Sequence, residues 1–136
     1  MSEFTTGGIF KGAAIGGAAA GIANIILYFI GGAAGAEYLM PQPGSGELGA
    51  IPVPMPFMMS LVPSLLGGAV LVALTKFAGE KAWTIFLAIM GLAFLMMAPG
   101  PVMQMGEDTT AIVVLEVMHV VAVLGTWFGI SRFGKG

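Results

Sequence analysis

Four long apolar runs organise this chain, and the stretches between and beyond them hold most of its charges. A membrane-spanning helix needs roughly 20 mainly apolar residues. The runs at about 10–34, 54–77, 82–98 and 109–130 meet or approach that length. The second starts at Pro54 or Pro56, and the third is the shortest, with Pro99 and Pro101 expected to close it. Residues 35–53 form the one long connection, where Pro41, Pro43, Gly44, Gly46 and Pro52 predict an irregular loop. The runs show no dyad alternation and are twice as long as a barrel strand, which argues against a β-barrel.

Each run also carries a stripe of small or polar residues at helical spacing. On the first it is Gly17, Gly21, Asn24, Tyr28 and Gly31, with a second series, Gly8, Gly12, Gly16 and Ala20, beside it. The second run offers Ser60, Ser64, Gly67 or Gly68, and Thr75, and the third Thr84, Ala88, Gly91 and Ala98. The fourth offers Glu116, His119, Val123 and Thr126. Lipid supplies no hydrophobic drive between helices, so small residues that let backbones approach mark the packed faces. These stripes and the short connections predict an all-α protein, a four-helix up-down-up-down transmembrane bundle forming one domain over residues 1–136. The second glycine face of the first helix is either a docking face for another copy or another subunit, or plain packing inside the chain. Pro63 removes one backbone hydrogen bond and predicts a kink beside Ser60 and Ser64.

The charges orient the bundle. All five basic residues, Lys11, Lys76, Lys81, Arg132 and Lys135, fall on what would be one side. Glu37, Glu47, Glu107 and Asp108 fall on the other, and only Glu3 and Glu80 share the basic side. Cytoplasmic loops carry the excess of Lys and Arg, so both termini are expected inside, in the inner (plasma) membrane. With 57% hydrophobic and 9% charged residues and a net charge of −2, the chain cannot cover itself with a solvated surface. No basic patch suggests nucleic acid, and the absence of cysteine removes disulfides and thiolate chemistry. Ala34-Gly35-Ala36 imitates a signal-peptide cleavage site, but the preceding run is too long for such a segment and carries Asn24 near its centre.

Deep in the spans, Glu116 and His119 are the only strongly ionisable side chains, and their spacing places them on one face of the fourth helix. Counted inward at ~1.5 Å per residue, Tyr28, Ser60 and Glu116 share one depth, and Asn24, Ser64 and His119 lie a turn deeper. These six residues are expected to form a layered polar cluster, either a ligand-binding or proton-responsive pocket or interhelical glue. An unpaired carboxylate there would cost ~2.5 kcal/mol or more, so Glu116 is expected neutral or sharing a proton with His119. A lone Glu-x-x-His lacks the second pair of a di-iron bundle. One histidine and no buried aspartate leave no Ser-His-Asp arrangement.

Methionine is abundant, 11 in all. Met55, Met58, Met59, Met96 and Met97 with His119 are weak candidates for Cu(I), which thioethers select. The alternative is that methionine fills irregular apolar gaps. No cofactor is required by these residues.

At Asn24-x3-Tyr28, Pro41-x-Pro43, Ser60, Trp83-x2-Phe86, Pro99, Asp108 to Thr110 and Leu115-x2-Met118-His119-x2-Ala122, nearly the whole chain resembles a known family. That family comprises small four-span bacterial membrane proteins of unknown function. The resemblance implies the fold and topology, and implies no activity. Three functions stay open: a non-enzymatic accessory or oligomer-forming subunit, a small transporter, channel or sensor using the polar cluster, and Cu(I) or apolar-ligand binding at the methionine-rich rim. The expected partners are the lipid bilayer and either further copies or other membrane subunits.

Overall fold

The computed structural model describes residues 4–136. Met1 to Glu3, and with them the expectation for Glu3, lie outside the described residues. The elements in order are α1 (Thr6–Ala33), β1 (Leu39–Pro41), β2 (Leu48–Ala50), α2 (Pro54–Phe77), a 3-10 turn (Gly79–Lys81), α3 (Ala82–Met97), α4 (Pro99–Met105) and α5 (Thr109–Phe133). Four helical segments, Thr6–Ala33, Pro54–Phe77, Gly79–Met105 and Thr109–Phe133, are long and apolar enough to cross a membrane.

The third segment does not stop at Ala98. Pro99 and Pro101 were expected to close it, yet Ala98 keeps right-handed helical angles and its N–H bonds to Phe94 O. Pro99 then stands in the first turn of α4, where its missing N–H costs nothing. The helical path therefore continues to Met105. Helix α2 likewise runs through Pro63 as one element.

The connection expected to be irregular holds an antiparallel hairpin, with Leu39 opposite Ala50, Met40 opposite Gly49 and Pro41 opposite Leu48. Gly44 and Gly46 make its reversal at φ +89° and +71°, a region L side chains avoid. Gln42 ties the ladder by donating to Met40 O and Gly49 O.

Helix α1 is the centre of the bundle, packed along α5 on one side and α2 on the other, while α3 leans chiefly on α2. Bare backbone makes the α1–α5 approach possible. A Cβ on Gly12 would stand 2.5 Å from Gly129 O, and one on Gly16 would collide with Gly125 O. Conversely, a Cβ on Gly125 would meet Gly16 O at 2.7 Å, and one on Gly129 would strike Gly12 O. Gly8 packs on Gly134 and Gly136 in the same row. The face of α1 that was a candidate for docking a second copy is thus occupied by α5 of the same chain. Gly17 and Gly21 serve α2 instead, seating Ser64 with Leu61 and Phe57 respectively.

Two further stripes differ from expectation. On α3 the buried residues are Ala82 and Phe86, while Thr84, Ala88 and Gly91 are exposed. Phe86 fills the space beside Gly67 of α2, where a Cβ would be 3.7 Å from its ring, so a large residue makes this contact. On α5 the row toward α1 includes Met118, Gly125 and Gly129, because these residues lie on one side of the helix and Glu116 on another.

The two ends of the bundle differ chemically. Thr5 N–H donates to Gly134 O (3.0 Å), which ties the start of α1 to the end of α5. Phe4 stacks on Trp83, and Lys11, Arg132 and Lys135 each lie over an aromatic ring at this end. At the other end the hairpin meets the start of α5.

Candidate functional site

Toward the hairpin end a cavity of about 220 Å³ opens among α1, α2, α4, α5 and the hairpin loop. Its polar lining is Asn24, Ser60 and His119, with the exposed Gln104 beside them, and Met40, Met55, Met59, Met118, Pro56 and Pro101 are among the other lining residues. A second chamber of about 180 Å³ lies between α2, α3 and α5, lined among others by Ser64, Phe86, Met90, Phe94 and Thr126. Met59, Ser60, His119 and Ala122 line both, so Ser60 and His119 stand where the chambers meet, and Asn24 lines the first alone.

The hydrogen bonds in this wall follow from placement. Asn24, 2% exposed, projects from α1 between α2 and α5, and its Nδ2 donates to Ser60 Oγ (2.8 Å) and Met118 O (3.2 Å). Ser60 Oγ donates back to Pro56 O in its own helix at 2.7 Å. Asn24 Oδ1 and His119 Nδ1 are buried atoms with no hydrogen-bond partner. Buried polar groups are nearly always satisfied, so each such atom marks a place for a complementary group.

Of the six residues expected to cluster, Asn24, Ser60 and His119 come together in the first chamber. Ser64 lies in the second and donates to Ala13 O at 2.8 Å. Tyr28 turns toward the hairpin, donating to Ile51 O at 2.6 Å. Glu116 lines neither chamber. A spacing of three residues leaves it about 60° around the helix from His119, with a side chain 37% exposed. Its Oε1 is 3.5 Å from His119 Nδ1, too poorly aligned for a hydrogen bond. The expected cluster is therefore a triad with Glu116 on its flank.

The methionine set divides as well. Met55 lines the first chamber, Met97 the second and Met59 both, but Met58 and Met96 lie on the exterior at 46% and 73% exposure. They share no wall with His119, so these six candidates do not converge on one metal position. Among the described residues, no group of three His, Cys, Asp or Glu side chains could hold a metal ion.

Met40 and Ile51 of the connecting segment line the first chamber, and a latch holds that segment in place. Asp108 caps α5 by accepting from Ala111 N–H at Oδ1, while Oδ2 accepts the N–H groups of Glu37 and Tyr38. Burial raises the Asp108 pKa, but these three donors outweigh it and hold the carboxyl below its ordinary value. Tyr38 adopts φ +56°, unusual for an aromatic residue. Its ring stacks on Tyr28 at 4.6 Å and its hydroxyl donates to Tyr28 O. Burial, then the neighbouring Tyr28 and Asp108, raise its pKa, so the hydroxyl keeps the proton it donates.

Sequence reasoning did not single out Tyr38, Asp108 or Gln104 as site residues. Asp108 carried a readable signal, an N-cap residue directly before an apolar run. Gln104 lines the first chamber from α4, where no helix was expected. Gly125 and Gly129 were also missed, although their spacing is that of a helix-packing motif.

The model of a family of unknown function, DUF6069, matches residues 4–135 of this chain. No curated protein and no solved structure matches it.

Proposed function

We propose, for a chain that belongs to the DUF6069 family of unknown function, a non-catalytic role: binding a small lipid-soluble molecule within the bilayer. In this reading the bundle runs up-down-up-down through the plasma membrane, with both ends and residues 78–81 cytoplasmic and the hairpin outside. The basic residues of the first and last segments, grouped with Phe4, Trp83 and Phe133 at one end, support that orientation. The observation that carries the binding role is a mostly apolar cavity that holds buried Asn24 and Ser60, with Ser60 and His119 shared by the adjoining chamber. Ligand sites are mostly apolar with a few placed polar groups. The methionines then act as adaptable apolar wall.

The test is native mass spectrometry of the protein released from membranes, beside an Ala122→Phe variant that fills the wall common to both chambers. The expected result is a small apolar adduct on the parent protein and its loss from the folded variant. Identical adduct patterns in the two proteins would remove the cavity as the binding site.

A second reading, an accessory or oligomer-forming subunit, draws on one observation. Thr84, Ala88 and Gly91 of α3 are exposed, and a Cβ on Gly91 would meet nothing within 4 Å. A neighbouring helix could approach that face closely.

A further inference from the structure

We infer that the molecule held at the Asn24–Ser60–His119 junction is uncharged and presents a hydroxyl hydrogen-bond donor. This rests on the binding role proposed above and specifies the chemistry of the ligand.

The inference follows from a count of donors and acceptors in the buried wall. Asn24 has two side-chain N–H donors, and both are spent, on Ser60 Oγ and Met118 O. The Ser60 hydroxyl hydrogen is spent on Pro56 O. What this pair still offers is acceptor capacity: Asn24 Oδ1, buried and unpartnered, and the second lone pair of Ser60 Oγ. His119 Nδ1 is buried too, but it lies 3.5 Å from Glu116 Oε1, which lines neither chamber, so it is left out of this count.

A ligand bearing only carbonyl or ether oxygens brings further acceptors and leaves Asn24 Oδ1 unsatisfied. A hydroxyl donates to Asn24 Oδ1 and so satisfies it. An unsatisfied buried group costs about 1–3 kcal/mol, so the preference has a measurable size. Charge narrows the class further. No Lys or Arg lines either chamber, so an anionic headgroup would enter without a counter-ion. Among the described residues no carboxylate lines them either, which disfavours a cation. The second chamber, walled by Phe86, Ile89, Phe94 and Val123, suits an apolar body attached to that hydroxyl. Phenolic lipids such as alkyl hydroquinones and aliphatic lipid alcohols share this chemistry.

The experiment measures partition of matched probes between phosphatidylcholine nanodiscs with and without the full-length protein. One pair is an anaerobic alkyl hydroquinone and its dimethyl ether, and the other is dodecanol and its methyl ether. At least ten-fold enrichment of a hydroxyl probe over its ether, about 1.4 kcal/mol, is the expected result. The pair that shows it identifies an aromatic or an aliphatic source. An Asn24→Leu variant is expected to bring the ratio below three-fold. The parent-protein comparison does not depend on that variant folding. Equal binding of hydroxyl and ether probes would overturn the donor requirement while leaving the cavity reading intact. If none of the probes is enriched, the hydroxyl-ligand inference falls, while the binding role is judged separately by the adduct comparison.

Discussion

Asp108 shows how much a single carboxylate can organise. It caps α5 and holds the backbone of Glu37 and Tyr38, so it ties the roof of the cavity to the helix that carries His119. Its pKa is lowered in the folded protein. The stabilisation is therefore fully present above the unfolded aspartate value of roughly 3.9 and is lost as pH falls through the lower folded value. Amide exchange at Glu37 and Tyr38, normalised for intrinsic rates, should show protection at pH 6 that fades toward pH 3. In Asp108→Asn that protection should already be reduced at pH 6. Unchanged protection in the variant would mean the latch does not hold the segment. Residue identity made part of this site legible: Asn24, Ser60 and His119 stood out as polar groups in apolar runs. Glu116 stood out for the same reason and is not in the wall, because composition marks an unusual residue without giving its direction around the helix.

Between helices, the glycine rows decide the packing. Gly12 and Gly16 of α1 interlock with Gly125 and Gly129 of α5, and each added Cβ would meet backbone, which cannot yield as a side chain can. A Gly129→Ala change should destabilise the bundle by about 1–3 kcal/mol, the usual range for overpacking. Gly91→Ala on the open face of α3 should be neutral or slightly stabilising, since alanine favours helix by about 1 kcal/mol. Unfolding of both variants in bicelles against added dodecyl sulfate, followed by circular dichroism, measures the difference. Equal stability would remove the interlock as the main contact. The four apolar segments were readable because length and hydropathy suffice to mark them. Which small residues face which neighbour was not, since α1 carries two glycine rows and α3 packs through Phe86. The prolines misled for a related reason: Pro99 breaks a helix interior but fits the first turn of a new helix.

At the scale of the whole molecule, the cationic end and the hairpin end give the bundle two distinct faces. Thr5 and Gly134 join the start of α1 to the end of α5 at the first, and Asp108 joins the loops at the second. The proposed orientation places the cavity toward the outer leaflet, where a lipid-soluble ligand would reach it. Because the chain has no cysteine, single substitutions report sidedness without background. Ser45→Cys at the tip of the hairpin and Lys81→Cys in the 3-10 turn both occupy exposed positions. Treating intact cells with a membrane-impermeant maleimide, before and after permeabilisation, is the most direct test of the bundle's orientation. Ser45→Cys should react in intact cells and Lys81→Cys only once the membrane is opened. Reaction of both from the same side, or of Lys81→Cys alone in intact cells, would contradict it.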